Sequence, residues 1–540
     1  MSSPPTSKSA RRFAHNALLL IVVNLLMRAV GVAFNVFVSN RAGSEVMGLY
    51  SLLGGVYALA ITLGCAGINL GTTRLVADAL GEAGDREGAV GTLSLHCRRV
   101  IRRSLSRCVL YSVVCGTAAG ALLFFFAPVV GRVWLGDART VTSLRILALT
   151  LPPIALTSCF SGYFTAMRRV APSAGVGIAA QLIRLALCSY FLSLWLGDGV
   201  EATCLALVLG GALGELLGFL MSLIAYVLDV RRHVSLRDGH NTEEDTAVPS
   251  PTRKLTGITV PVTLSACLRS GLVTLQHILI PRGLKKSGAS WATALASYGV
   301  VHGMVLPVVL FPSAFISSFS GLLVPEIAES YARGDKARIS RISERIITPA
   351  LMFSFGVAGI MACFSHELGM VIYSSAEAGA YIRMLAPLIP IMYVDSSVDA
   401  VLKGMGEQVY SMNVNIIDAL CSVILVWLLL PHMGLMGYIV AIYVTEILNT
   451  SLSLVRMLRI SHMRIRFWRL VAGPLLCIIG ATCITRVACT LLPFAPPATA
   501  LTLTLPISIC AAIYVLLLFL LRVAGREELR TAGALLPARG

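Results

Sequence analysis

A chain of 540 residues that is 56% hydrophobic and only 13% charged, with a mean hydropathy of +0.81, is not a soluble globular protein, which would carry about 25% charged residues. The formal net charge of +17 does not point to nucleic acid, because most of the basic residues sit in short loops between apolar runs, as the positive-inside rule requires. The 14 cysteines are spread through apolar segments with no CxxC pair and no Cys/His spacing of metal-ligand type, so they read as small hydrophobes.

Apolar runs of about 20 residues recur from end to end, and each must be a helix because lipid offers no partner to an open backbone. Fourteen spans are expected, starting near residues 13, 46, 108, 145, 173, 201, 256, 289, 346, 380, 408, 434, 468 and 500. The first run is too long for a signal-peptide core and has no small-residue cleavage site, so it is expected to remain as an uncleaved span. It contains "NLLMRAVGVAF", which places Arg28 about 14 residues, or roughly 21 Å, into the first helix. Between spans 2 and 3, "TTRLVADALGEAGDREGAVGTLSLHCRRVIRRSLSR" reads as a basic amphipathic helix on the anionic inner leaflet. Span 5 carries Arg184 and span 6 carries Glu215. The segment "DVRRHVSLRDGHNTEEDTAVPSPTRK" is polar, contains prolines and falls at the centre of the chain, so it reads as a linker. Span 7 carries Arg269, and spans 10, 11 and 12 carry Asp395, Asp418 and Glu446. Pro152, Pro307, Pro312 and Pro390 are expected to kink their helices. Inner loops and tails hold about 32 Lys/Arg and outer loops about 6, which sets both termini on the cytoplasmic side.

The two sides of the linker look like copies. "LRILALTLPPIALTSCFSGYFTAMRRVAPSA" (144–174) aligns without gaps to "IRMLAPLIPIMYVDSSVDAVLKGMGEQVYSM" (382–412), with Arg145/Arg383, Pro152/Pro390, Ser158/Ser396 and Ser173/Ser411 among the matches. Arg28 and Arg41 are spaced like Arg269 and Arg282, and "VADALGEAGD" echoes "IAESYARGD". Spans 1 and 7 both enter from inside, so the repeat is parallel. The expected organisation is a six-span lobe (1–228), a cytoplasmic linker (229–255), a second six-span lobe (256–460), and two extra spans with a tail (461–540). The fold class is therefore an all-α polytopic membrane protein with two parallel six-helix bundles and two added C-terminal helices, an architecture used by transporters.

Arg28, Arg184 and Arg269 come out at nearly the same depth. Each would cost about 2.5–3.5 kcal/mol at the centre of a lipid-exposed helix. All three are therefore expected to face a water-filled cavity between the bundles and to hold an anion, since guanidinium donates two parallel hydrogen bonds to phosphate. The alternative is pairing with Glu215, Asp395, Asp418 or Glu446. Arg145 and Arg383 open their helices and are expected to snorkel. Asp395, Asp418, Glu446 and Glu215 are candidate H⁺ or Na⁺ sites, with a counter-ion role as the alternative. Asp399 and Lys403 read as a plain i, i+4 pair. There is no G-x-x-x-x-G-K-[ST] loop, "SHELG" is not HExxH, and no catalytic set occurs. Neither a cofactor nor enzymatic activity is expected, and transport energy would come from an ion gradient, the membrane potential or the substrate's own gradient.

"MRAVGVAFNVFVSNRAGSEVMGLYSLLGGVYALAITLGCAGINLGTTRLVAD", "SGYFTAMRRVAPSA", "LLVPEIAESYARGD" and "VLKGMGEQ" resemble, in order and spacing, the stage V sporulation protein B and polysaccharide exporter family. That family belongs to the multidrug/oligosaccharidyl-lipid/polysaccharide flippase superfamily, which includes lipid II flippases. The resemblance implies a flippase of the bacterial cytoplasmic membrane, acting as a monomer on an undecaprenyl-pyrophosphate-linked sugar such as lipid II. It also implies that Arg28 and Arg269, with Arg41 and Arg282, face the pyrophosphate. Where the sporulation branch has Glu-Gln, this chain has Ala180–Gln181, so no role passes to that glutamate. Two rival readings are a cation-coupled drug antiporter of the same superfamily and a non-transporting scaffold for cell-wall or sporulation enzymes.

Overall fold

The computed structural model describes residues 7–82, 95–167, 169–233, 251–463, 466–491 and 500–523, and among these every regular element is a helix. In chain order they are α1 (Ser7–Cys65), α2 (Ile68–Glu82), α3 (Leu95–Val129), α4 (Thr140–Ala166), α5 (Val170–Trp195), α6 (Val200–His233), α7 (Pro251–Lys286), α8 (Trp291–Tyr298), α9 (Leu306–Leu310) and α10 (Ser313–Ala332). They continue as α11 (Lys336–Cys363), α12 (Ser365–Tyr373), α13 (Ala376–Leu385), α14 (Ile389–Gly404), α15 (Gln408–Met433), α16 (Leu435–Ser461), α17 (Gly473–Leu491) and α18 (Ala500–Leu520).

Among the described residues thirteen helices are long and apolar enough to cross a membrane, and the first of them runs from Leu25 to Leu80. That run has 56 residues, roughly 84 Å if straight, more than twice the ~30 Å hydrocarbon core. It breaks at Gly43, whose backbone (φ 80, ψ 173) is not helical and is open only to a residue without a Cβ. Spans 1 and 2 therefore lie on either side of Gly43, and the chain is a multi-pass membrane protein with the expected number of crossings.

The described parts of the segment 72–107 belong to two spans rather than to a separate surface helix. Its start is the end of α2 and its last part, from Leu95, is the beginning of α3, which continues to Val129; residues 83–94 lie outside the described residues. Arg102, Arg103 and Arg107 are exposed while Ile101 and Leu105 are buried, so the amphipathic stretch prolongs span 3. Residues 234–250 of the expected linker and 524–540 of the expected tail also lie outside the described residues.

The prolines act unequally. Pro152 sits within the continuous α4. Its repeat counterpart Pro390 opens α14, just after a tight turn at Ala386–Leu388 that separates α13 from α14. Pro307 begins the short α9, and Pro312 precedes α10. In both halves the second span breaks and continues as a further helix, α2 in one and α10 in the other. The repeat is also exact in register where the alignment places it: α4 ends at Ala166 and α14 at Gly404, while α5 begins at Val170 and α15 at Gln408.

The chain forms two compact units. One consists of Glu45–Pro281; the other combines the residues up to Ser44 with those from Arg282 onward. Most of α7 thus belongs to the first of these units. There, threonines stitch it in: Thr259 Oγ1 donates to the Tyr111 hydroxyl (3.1 Å), Thr263 Oγ1 to the Ala66 carbonyl (2.5 Å) and Thr274 Oγ1 to the Gly55 carbonyl (3.0 Å). Small hydroxyl side chains of this kind bind helices together in lipid, where burial of apolar surface gives no drive. The first part of α1 is held in the other unit, where Asn40 Nδ2 donates to the Ile372 carbonyl (2.8 Å) and Val38 is buried. In that unit α17 and α18 pack on α11, with the Tyr514 hydroxyl donating to the Met352 carbonyl at 2.7 Å. Arg486 of α17 reaches Glu367 of α12 at 2.9 Å.

Candidate functional site

In the unit Glu45–Pro281, Arg184 and Glu215 form an ion pair deep in their spans. Gly210, Gly214 and Gly218 are spaced i, i+4, i+8 along α6. A Cβ at each would stand 2.6 Å from Cys188, 2.6 Å from Arg184 and 2.8 Å from Ala180 on α5. Only residues this small allow two backbones to approach so closely. The approach brings Arg184 Nη1 to 3.3 Å from Glu215 Oε1, and Arg184 Nη2 donates to the Gln181 side-chain carbonyl. Both charged side chains stay more than a third exposed, at 39% and 37%. The pairing alternative therefore holds for Arg184 and for Glu215. Gln181, one turn before Arg184 on α5, is part of the arrangement.

Arg28 and Arg269 are different. Both are exposed, and among the described residues neither has an ion pair or a hydrogen bond. Arg28 lies in the unit that continues from Arg282, and Arg269 in the unit Glu45–Pro281. Within its unit, Arg28 is in electrostatic reach of the Tyr393 phenol, which is itself anchored by donating to the Val309 carbonyl at 2.6 Å. Arg41 is exposed and stacks over the Phe37 ring at 5.4 Å. Its spacing counterpart Arg282 is half-buried, so the two second arginines have unlike surroundings. Arg145 lies over the Phe124 ring at 5.5 Å.

Asp395 in α14, Asp418 in α15 and Glu446 in α16 are half-buried, and the first two carboxylates lie within electrostatic reach of Glu446. Carboxylates from three consecutive helices therefore lie near one another in this unit. One turn below Asp395, Asp399 pairs with Lys403 (2.5 Å) and accepts from the Ser411 hydroxyl.

Two ion pairs at the connections between spans, not singled out in the sequence, occupy matching places. Arg169, just before α5, binds Asp229 near the end of α6 at 3.0 Å, and the Tyr163 hydroxyl donates to the same carboxylate at 2.8 Å. Glu407, just before α15, takes Arg456 near the end of α16 at 2.9 Å. The signal was present in the repeat alignment, which sets Arg169 opposite Glu407.

A family model described as "Polysaccharide biosynthesis protein" matches residues 13–330, and the MatE family model matches residues 291–428. Stage V sporulation protein B of Bacillus subtilis (strain 168) is 25% identical over 526 residues, 96% of this chain and 97% of that protein. Sporulation protein YkvU of the same organism is 20% identical over 444 residues, 82% of this chain and 94% of that one. The structure of lipid II flippase MurJ in an inward closed conformation superposes with a TM-score of 0.64 at 11% identity, covering 92% of this chain and 98% of that one. An inward-facing multidrug resistance MATE family transporter of the MOP superfamily superposes with a TM-score of 0.61 at 14% identity, covering 82% of this chain and 100% of that one. The fold is that of the MOP-superfamily transporters. With more than half its length matched, the chain belongs to the polysaccharide biosynthesis protein family.

Proposed function

We propose that this transporter is a flippase, moving an anionic polyprenyl-pyrophosphate-linked sugar, lipid II or a polysaccharide precursor, across the bacterial cytoplasmic membrane by alternating access. The observation that carries the reading is the pair Arg28 and Arg269: exposed, without ion pair or hydrogen bond among the described residues, and each thirteen residues before a second arginine, Arg41 or Arg282. An uncompensated guanidinium at mid-span depth needs an anion or water, and a pyrophosphate suits its planar fork. The naming of relatives as a lipid II flippase and a sporulation protein supports the substrate class. The prenyl tail stays in lipid while the guanidinium groups replace hydration of the headgroup. The acids Asp395, Asp418 and Glu446 take the coupling H⁺ or Na⁺. The protein works as a monomer with both termini in the cytoplasm.

The test is a leaflet-accessibility assay for lipid-linked sugar in cells that depend on this protein. Arg28→Ala and Arg269→Ala are expected to cut export at least tenfold while the variants still insert at normal levels. Full export by both variants would refute the reading. The same three acids, together with the likeness to multidrug transporters, favour a cation-coupled drug antiporter as the second reading. It requires drug resistance on overexpression that is lost with Asp418→Asn or Glu446→Gln.

A further inference from the structure

Within the unit that continues from Arg282, α17 is fastened unequally at its two ends. At its far end Arg486 holds Glu367 of α12 at 2.9 Å. At its start Arg469 reaches Glu344 of α11 only at 3.9 Å. This second end gathers cations. α11 has 28 residues, roughly 42 Å, so its first turns stand outside the ~30 Å hydrocarbon core. Arg341 and Arg345, one turn apart, are exposed there, while Ile339, Ile342 and Ile346 are buried. The chain that leads into α17 runs alongside: the Ser340 hydroxyl donates to the His462 carbonyl at 3.5 Å, and Glu344 faces Arg469. That stretch also carries Arg466, which is exposed. Arg341 donates to the Ala337 carbonyl of its own helix at 3.4 Å. Arg345 and Arg466 have neither an ion pair nor a hydrogen bond among the described residues. Next to these cations the surface turns apolar. Phe467 and Trp468 are 66% and 58% exposed. Trp468 opens a wide helical turn, Trp468–Ala472, that continues as α17. The exposed Leu475, Leu476 and Ile479 follow it at helical spacing. Aromatic rings at the start of a span mark the headgroup boundary, so the arginines lie at headgroup level and the apolar stripe runs on into the acyl layer.

We propose that this corner is a binding site for an anionic phospholipid: its phosphate lies between Arg345 and Arg466, with Arg341 beside it, and one acyl chain runs down the Trp468, Leu475 and Ile479 side of α17. A guanidinium donates paired hydrogen bonds to phosphate oxygens, which suits arginines better than a diffuse counter-ion does. Charge and surface type together select the occupant. An acidic protein segment would satisfy the arginines and leave the apolar stripe uncovered. A zwitterionic lipid would cover the stripe but bring a cation of its own. The bound lipid supplies the negative charge that a single carboxylate, Glu344, does not, and it fastens α17 to α11 at the end where the ion pair is loose. The site uses none of the groups assigned to the transported substrate. Its placement in the inner leaflet rests on the reading above that both termini are cytoplasmic; the recognition itself does not.

The experiment uses the full chain, delipidated in a neutral detergent, with dioleoylphosphatidylglycerol and dioleoylphosphatidylcholine as the added lipids. Native mass spectrometry reads how much lipid is retained, and thermal melting reads what retention does. The wild type is expected to retain phosphatidylglycerol at concentrations about tenfold below those needed for phosphatidylcholine, and to melt several degrees higher with it. Arg345→Gln with Arg466→Gln is expected to weaken phosphatidylglycerol retention about tenfold and to remove the gain in melting, while the lipid-free protein melts as the wild type does. Arg102→Gln with Arg107→Gln, at the exposed basic start of α3, removes the same charge and should change neither readout. The proposal is overturned if phosphatidylcholine is retained as tightly, if the two double variants behave alike, or if inorganic phosphate displaces the phosphatidylglycerol, which would make the site one for free phosphate. The topology is tested separately. A C-terminal tag reached by protease from outside intact cells would overturn the inner-leaflet placement and leave the lipid selectivity as measured.

Discussion

The two halves of the chain solve one structural problem with opposite charges. In the first, Arg169 in the connection between α4 and α5 binds Asp229 on α6; in the second, Glu407 in the connection between α14 and α15 binds Arg456 on α16. The connections coincide in the repeat, since each follows a helix that ends at the matching residue, Ala166 or Gly404. An ion pair tying the connection to the next-but-one helix is therefore common to both halves, while its polarity is not. What surrounds the pairs differs too. The first is reinforced by the Tyr163 hydroxyl and by Phe160 stacked on Tyr226 at 4.4 Å. In the second the arginine lies over the Tyr410 ring at 5.2 Å. A constraint that tolerates reversal of sign is one of attachment: it holds three helices of a unit together, and it selects no ligand.

The comparison is broken most severely at the more enclosed pair. Asp229 is 12% exposed and Arg169 29%, so Asp229→Arg sets two cations against each other with little water to screen them. A loss of about 3 kcal/mol or more is expected, read as a sharp fall in detergent melting temperature. Adding Arg169→Asp gives the first half the polarity of the second and should restore most of that loss. If the double variant melts no higher than Asp229→Arg, the pair is not the interchangeable attachment described above. Glu407→Arg should lower melting by less, because its partner Arg456 is more exposed, at 40%, and keeps the Tyr410 ring. The reversed double variant Glu407→Arg with Arg456→Glu should melt close to the wild type. An equal fall for Glu407→Arg and Asp229→Arg would show that enclosure does not set the strength of these pairs.

Much of the fold was legible in the sequence because the hydrocarbon core imposes a length on every apolar run. The starts expected at 408, 434 and 500 lie within a residue of α15, α16 and α18. The segment 72–107 was misjudged because basic amphipathic turns look alike whether they lie on a bilayer or prolong a span; in α3 the burial of Ile101 and Leu105 decides for the latter. The intramembrane charges could be named but not partnered from sequence. Arg184 and Glu215 are 31 residues apart, and what joins them is the close approach of α5 and α6 at Gly214. The Arg169–Asp229 and Glu407–Arg456 pairs were missed for a related reason. Charges near span ends read as ordinary snorkelling residues, and the alignment of Arg169 with Glu407 registers as a mismatch when identity is scored rather than pairing.

The smallest expected effect is the most specific. The Tyr163 ring is fully buried, and only its hydroxyl, donating to Asp229 Oδ2 at 2.8 Å, engages the ion pair. The second half has Val401 at the matching place and no phenol to support Glu407. Tyr163→Phe keeps the ring and its edge contact with Tyr226 and removes one hydrogen bond to a charged group, for an expected loss of about 1.5 kcal/mol. In the Arg169→Asp, Asp229→Arg background the carboxylate has moved to position 169, so the hydroxyl no longer meets its acceptor. Tyr163→Phe should then cost much less. Thermal melting of the four proteins reads the coupling as a double-mutant cycle. Equal losses in both backgrounds would mean that the phenol stabilises packing around Phe160 and Tyr226, and that the two halves differ in polarity alone.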